Sequence, residues 1–318
     1  MTDFSYIGVD TSNYTTSLAV ADGAGRIVAN LKAPLPVKPG ECGLRQSDAV
    51  FAHVKNLPGL MRQLKEVLRP YRVAAVGVSA RPRDAEDSYM PCFLSGVAAA
   101  ESLAAGLDVP LYRFSHQGGH LSAALYSAGA EHLLSAPAFG AFHVSGGTTD
   151  MLFVTPKGED FSVTPLGGSA DLHAGQAIDR IGVALGLDFP CGPALERLAA
   201  ENQKKLPRPR ISVKGGTANL SGLENLALRL YRESGDAALT AAYTLSFLTE
   251  TLAAMTCYLR AERGDLPVVF AGGVMSNRII AHALSQRFDN IFFAEPAFSA
   301  DNAAGIALMC RRRALRTV

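Results

Sequence analysis

Apolar and polar positions along the chain switch between two rhythms. Tyr6-Ile7-Gly8-Val9-Asp10 is a short, nearly unbroken apolar run and reads as a buried strand. Thr11-Ser12-Asn13-Tyr14 then reads as a polar turn and Thr16-Ser17-Leu18-Ala19-Val20 as the returning strand. The same plan recurs in Ala141-Phe142-His143-Val144, the turn Ser145-Gly146-Gly147-Thr148, and the return Asp150-Met151-Leu152-Phe153-Val154. Two such units, each near the start of about half the chain, predict an internally duplicated protein with a ligand between its halves.

Between these units the rhythm lengthens. Val50 to Leu68 places apolar residues three and four apart and predicts a helix, Val73 to Val78 a buried strand, and Phe93 to Leu107 an Ala-rich helix. Beyond the second unit the pattern predicts helices near Asp171–Leu185 and Pro193–Glu201, and a Pro- and Arg-rich loop at Leu206–Val213. A long helix over Ala237–Arg263, a strand at Pro267–Ala271 running into Gly272-Gly273, and a closing helix around Asn302–Arg313 complete the reading. Alternating strands and helices predict an α/β protein of two lobes. Lobe I is expected over residues 1–114, with a C-terminal helix of about 302–318 crossing back to it, and lobe II over 115–301.

Composition narrows the class. The 318 residues are 48% hydrophobic, enough for two packed lobes. A formal charge of +1 gives no global basic field, so any RNA contact has to be local. Two basic clusters exist, Lys204, Lys205, Arg208 and Arg210, and Arg311 to Arg313 with Arg316; both read as solvated surface. Five cysteines without a C-x-x-C argue against a disulfide scaffold and a zinc ribbon. No apolar run reaches bilayer length and Met1 to Tyr6 has no basic leader, so a soluble cytoplasmic protein with no membrane partner is expected.

His116 and His120 stand four residues apart in His116-Gln117-Gly118-Gly119-His120, the spacing with which one helical turn points two imidazoles at a single ion. The best third ligand is Asp301, an acid set in an apolar, small-residue stretch. No P-loop and no Rossmann G-x-G-x-x-G occurs, which leaves three turns for a nucleotide. Ser145-Gly146-Gly147-Thr148 offers bare backbone N–H groups to phosphate, or is an ordinary hairpin turn. Gly192-Pro193 starts a helix, and Gly272-Gly273 leads to Asn277, where a base or ribose can rest on backbone. Asp179 either accepts from ribose hydroxyls or pairs with Arg180. His53 reads as a surface helix histidine.

Taken together, Val9-Asp10-Thr11-Ser12, His116 to His120, Val144 to Gly147, Gly175 to Asp179, Phe189 to Pro193, Ser221-Gly222-Leu223, Ala271 to Asn277 and Asp301-Asn302 resemble, in order, the tRNA threonylcarbamoyladenosine synthase family (TsaD/Gcp), once labelled a glycoprotease. The resemblance implies the ASKHA fold of actin and the sugar kinases, with two RNase H-like lobes around a nucleotide cleft. It implies that His116, His120 and Asp301 ligate one divalent metal, iron or zinc. It also implies that His143, Val144, Ser145, Gly146 and Gly147, with Asp179, Gly192 and Asn277, hold ATP or an acyl-adenylate. The implied reaction moves a threonylcarbamoyl group from its adenylate to adenosine 37 of tRNA, in company with other subunits of a threonylcarbamoylation complex. Asp10, Thr11, Ser12, Arg81 and Arg83 fall on the implied transfer surface.

Departures from the family pattern lie on that same surface. Tyr14 and Thr15 stand where the family has two acids, Arg81-Pro82-Arg83-Asp84 where it has Gly-Pro-Gly, Thr148 where it has a histidine, and Gly118 where it has a glutamate. Loss of carboxylates and gain of Arg81 and Arg83 make the surface more cationic, unless these arginines pair with Asp84, Glu86 or Asp87. The expectation is therefore a carbamoyltransferase, or a divergent paralogue with altered or lost transfer that acts as an ATP-binding partner or another carbamoyltransferase. A metalloprotease is disfavoured, because Gln117 and Gly118 replace the base of an H-E-x-x-H site.

Overall fold

The computed structural model describes residues 3–36, 44–85, 87–299 and 303–317. The chain divides into two compact units. Unit 1 holds Met1–Ser127, Pro156–Ser162 and Ala300–Val318, and unit 2 holds Ala128–Thr155 and Val163–Ser299. Unit 1 thus runs one helix past Phe114, where the sequence reading put the boundary.

Unit 1 contains strands β1 (Asp3–Thr11), β2 (Thr15–Asp22), β3 (Ile27–Pro34), β4 (Tyr71–Arg81) and β5 (Leu111–Ser115) in one sheet of order β3-β2-β1-β4-β5. β1 pairs antiparallel with β2, and parallel with β4, which in turn runs parallel to β5. β1 lies between two partners and both its faces are covered, which is why Ile7 and Val9 are fully buried and its sequence does not alternate. Helices α1 (Gln46–Val67), α2 (Phe93–Leu107) and α3 (His116–Ser127) follow the strands. The closing helix α10 (Ala304–Thr317) buries Ile306, Met309 and Cys310 with Tyr6, Ala75 and Phe114.

α1 starts four residues ahead of Val50 and turns Ala49, His53, Leu57, Leu60 and Leu64 inward at helical spacing. His53 is therefore fully buried, which corrects its reading as a surface residue.

Unit 2 contains β6 (Phe139–Val144), β7 (Thr149–Lys157), β8 (Asp160–Ser169), α4 (Ala174–Ala184), α5 (Gly192–Ala200), β9 (Val213–Lys214) and β10 (Thr217–Ala218). It continues through α6 (Ser221–Ser234), α7 (Ala237–Arg263), β11 (Val268–Ala271), α8 (Arg278–Ser285), β12 (Ile291–Phe293) and α9 (Pro296–Ser299). Its sheet runs β12-β11-β6-β7-β8-β10-β9. The segment β8-β7-β6-β11-β12 repeats the order of the first sheet, with β6 antiparallel to β7 and parallel to β11. The two hairpins thus open two copies of one topology.

α7 is the spine of the second core. Asp236 caps its start by accepting from the Leu239 N–H at 2.9 Å. The buried hydroxyls of Thr240, Thr244, Thr249, Thr251 and Thr256 each donate to the carbonyl four residues back, so they leave no unmet polar group inside. α4 starts at Ala174 and not at Asp171, whose carboxylate accepts from the Leu220 N–H at 2.7 Å and serves the start of α6 instead.

Candidate functional site

The C-terminal ends of β1, β4 and β5 lie side by side, and each delivers a polar group. Asp10 is fully buried near the end of β1. Ser79 near the end of β4 donates its hydroxyl to Asp10 Oδ1. His116, which opens α3 directly after β5, has Nδ1 at 2.8 Å from the same oxygen. A carboxylate only accepts, so His116 donates from Nδ1 and turns Nε2 toward His120. His120 Nε2 lies 2.9 Å from His116 Nε2, with the rings edge to face at 76°. Asp10 Oδ2 is buried and has no hydrogen-bond partner among the described residues.

Two imidazole nitrogens converging on one point, the first oriented through its far nitrogen by a carboxylate, is the arrangement that suits a borderline divalent metal such as iron or zinc. These residues fit such an ion. Among the described residues no group of three His, Cys, Asp or Glu side chains converges to hold one. Asp301, the third ligand expected from the sequence, lies outside the described residues.

The other transfer-surface candidates have structural partners. Thr11 Oγ1 donates to the Cys92 carbonyl at 3.0 Å and accepts from the Gly96 N–H at 3.1 Å, which ties the end of β1 to the start of α2. Ser12 Oγ donates to the Thr15 carbonyl at 3.4 Å and closes the hairpin turn. Arg81 pairs with Asp84, so its charge is offset by a neighbour in its own turn. The Gln117 N–H donates to the Pro82 carbonyl at 2.9 Å, pinning that turn to the start of α3. Arg83 is exposed and its backbone N–H donates to Ser88 Oγ at 2.8 Å. A side chain on Gly118 would meet the Ser115 hydroxyl and the Asp160 carboxylate, so Asp160 fills space that a larger residue there would need.

Sequence reasoning missed Ser79 and the burial of His53. Ser79 was findable from the rule that ligand-facing groups gather at the C-terminal ends of parallel strands. His53 Nδ1 lies 2.8 Å from Thr16 Oγ1, which also accepts from Asn56 at 3.2 Å. Burial pushes the His53 pKa below its usual 6.5, so the ring is neutral at pH 7.

In unit 2, His143 to Gly147 lie at the end of β6, Asn277 follows β11, and Asp179 stands on α4 and Gly192 at the start of α5. His143 and Val144 finish β6, and Ser145 Oγ accepts from the N–H groups of Gly147 at 3.2 Å and Thr148 at 3.1 Å. Gly146 and Gly147 form an exposed crest, with open space where side chains would stand. Behind them the Gly175 N–H donates to the Ser145 carbonyl at 3.1 Å, and a Cβ on Gly175 would sit 2.6 Å from Gly146 N. Gly272 adopts φ 101°, left-handed backbone that favours glycine, and a Cβ there would strike the Val144 carbonyl.

Asp179 and Asn277 of this set are occupied in holding turns. Asp179 Oδ1 accepts from the Cys191 N–H at 2.8 Å, positioning the Gly192 start of α5, and burial together with the Asp179 charge pushes the Cys191 thiol pKa up. Asn277, 7% exposed, caps α8 by accepting from the Ile280 N–H at 3.0 Å. Glu196 on α5 accepts from the Arg278 N–H at 2.9 Å and joins the two helix starts.

A family model described as tRNA N6-adenosine threonylcarbamoyltransferase matches residues 42–308. The matched residues include His116, His120, the Ser145–Gly147 turn, Asp179, Gly192, Asn277 and Asp301, and begin after the β1-β2 hairpin. Among solved structures, HypF of T. kodakarensis is similar at a TM-score of 0.61 and 15% identity, over 99% of this chain and 48% of that one. A ROK family glucokinase from Streptomyces griseus, solved with glucose and AMPPNP, gives a TM-score of 0.53 at 13% identity over 97% and 99% of the two chains. The activator of 2-hydroxyisocaproyl-CoA dehydratase from Clostridium difficile, with bound ADPNP, gives 0.50 at 13% identity over 98% and 96%. Such likeness at low identity establishes the fold, which is ASKHA, in keeping with the duplicated sheets.

Proposed function

The chain belongs to the tRNA N6-adenosine threonylcarbamoyltransferase family, and from that premise we propose that it transfers a threonylcarbamoyl or closely related carbamoyl group from an adenylate donor to the exocyclic amine of a tRNA adenosine. The observation that carries this reading is the Asp10–His116–His120 array, because two Nε2 atoms 2.9 Å apart with one imidazole oriented by a buried carboxylate suit metal ligation. His116 and His120 would hold the ion, with Asp301 as the third ligand the sequence offers. A bound iron or zinc ion would supply Lewis acidity, polarising a carbonyl or phosphate oxygen.

The chain's own groups do the rest. Asp10 keeps the His116 proton on Nδ1, and Ser79 fixes the carboxylate that does so. The exposed Gly146-Gly147 crest lets the donor's phosphate approach backbone without an intervening side chain, with the Gly146 N–H as the donor group while the Gly147 N–H stays on Ser145 Oγ, and Gly272-Gly273 offers bare backbone to the adenine. Asp179 and Asn277 support the donor by holding the Cys191-Gly192 and α8 turns in place. AMP departs as an anion, so the leaving group needs no acid. The acceptor amine becomes acidic only as its bond to the carbonyl carbon forms and the carbon–oxygen bond to phosphate breaks, so the departing phosphate is base enough to take its proton. Transfer can therefore proceed with Tyr14 and Thr15 where the family has acids.

A second reading, altered or lost transfer in an ATP-binding partner, is favoured by one observation: Tyr14 is exposed and no carboxylate stands on the turn after Thr11. Single-turnover assays with a threonylcarbamoyl-adenylate and tRNA, read by nucleoside chromatography, separate the two. Modified adenosine together with about one metal per chain is the expected result. Stabilisation by the adenylate without modified adenosine favours the second reading, and absence of both metal and adenylate binding overturns the proposal.

A further inference from the structure

The two basic clusters of the sequence have different fates. In α10, Arg311 donates to the Gly23 carbonyl at 2.9 and 2.8 Å, Arg312 donates to Ser122 Oγ at 3.0 Å, and Arg313 and Arg316 pair with Glu159 at 2.8 and 3.1 Å. Each arginine of that cluster has an internal partner. In unit 2, Arg208 and Arg210 are exposed, and neither forms an ion pair among the described residues.

These two arginines line a cavity of about 530 Å³ between the irregular 205–212 segment, α6 and α7. Arg229 of α6 joins them, Glu233 is the single acid on the wall, and its contact to Arg229 is a long 3.8 Å. Tyr243 of α7 closes the inner side at 5% exposure. Burial raises its phenol pKa while the charges of Arg229 and Arg210 oppose the rise, so both guanidinium groups act on its hydroxyl. Pro207 and Pro209 alternate with the arginines and limit the backbone freedom lost when a ligand is gripped. Three guanidinium groups facing a single lining carboxylate, Glu233, with a phenol donor beside them, suit phosphate oxygens. The volume exceeds what one inorganic phosphate fills and suits a nucleotide unit.

We infer that this cavity docks the phosphodiester backbone of the acceptor RNA through Arg208, Arg210 and Arg229. The inference rests on the proposed RNA acceptor and adds the place where a chain of net charge +1 grips it. The test is fluorescence anisotropy of a labelled tRNA transcript with the full-length protein across a salt series. The R208Q/R210Q variant is expected to weaken binding on the order of tenfold and to reduce the salt slope by about 2. The adenylate-induced thermal shift is expected to stay unchanged, and R311Q, which removes an internally bonded charge, to leave RNA affinity unchanged.

Equal affinity of wild type and R208Q/R210Q overturns the inference while leaving the transfer reading intact. So does an equal loss in R311Q, which would reduce the effect to overall charge, or competition by poly-glutamate as effective as that by unlabelled tRNA. Failure of the wild type to bind tRNA at low salt overturns the inference together with its RNA acceptor.

Discussion

The hairpin turn after β1 and the one after β6 occupy equivalent places in two sheets of the same strand order, yet they offer opposite chemistry. At the first, Asp10 is buried, and its carboxylate accepts directly from Ser79 and from His116 of the His116–His120 pair. At the second, the crest is Gly146-Gly147 with open space around it, and the nearby side chains Asp179 and Asn277 are engaged in holding turns. On the proposed reading, one topology thus supports a site made of side chains and a site made of main chain. The difference teaches where each is vulnerable: the first to loss of a functional group, the second to gain of a Cβ.

The sharpest way to break that contrast is His116→Ala. It is expected to abolish metal retention by elemental analysis and lower transfer by more than about 100-fold, with adenylate binding kept. Retained metal at wild-type stoichiometry would remove the side-chain site. Asp10→Asn retains an acceptor oxygen and removes the charge, so a drop of roughly 10- to 100-fold in metal affinity is expected.

Gly175→Ala probes the main-chain site. Its Cβ would press on Gly146 N at 2.6 Å, so a cost of about 1–3 kcal/mol and loss of the adenylate-induced thermal shift are expected, with metal content unchanged. An unchanged thermal shift would mean that the glycine crest does not hold the donor. Asp179→Asn keeps the oxygen that accepts from Cys191 N–H, so adenylate affinity within about twofold of wild type is expected. A large loss in calorimetric titration would instead assign the carboxylate to the ribose.

The smallest effect concerns stability alone. Partial burial favours the protonated form of Asp171, but the Ser221 hydroxyl and the Leu220, Leu172 and Ser221 amides outweigh it and lower the pKa from 3.8 to about 2. A depressed carboxylate stabilises the fold above its unfolded value and ceases to do so as pH falls through the folded one. Melting temperature should therefore fall between pH 4 and pH 2, and Asp171→Asn should flatten that decline. An identical profile in the variant would show that the contact does not stabilise the start of α6.

Much of the fold was legible because it depends on local periodicity. The apolar run of β1, the helical spacing of α2 and α7, and the repeated hairpins each carry their own signal, and Phe93–Leu107 and Ala237–Arg263 have the bounds the pattern predicts. β3, with every position part-exposed, shows no buried face to read, whereas α6 went unread although its apolar stripe at Leu223, Leu226, Ala227 and Leu230 was there to be seen. The histidine pair was legible from its spacing. Its partners were not, since Asp10 and Ser79 lie far away in sequence and meet it only where parallel strands end together.

The sequence by itself determined the two-lobed α/β pattern, the paired histidines, the glycine turns and the family, because each is written in local spacing or in ordered motifs. Tertiary structure alone decided which polar residues are available. It buried His53 between α1 and β2, set Thr11 to holding α2 and Asp179 to holding Cys191, and paired Arg81 with Asp84. It also separated two basic clusters that look alike as sequence, giving α10's arginines internal partners and leaving Arg208 and Arg210 at an open cavity. The reason is physical: a side chain's hydrogen bonds and charge depend on what the fold brings within a few ångströms of it, and that neighbourhood is assembled from distant parts of the chain.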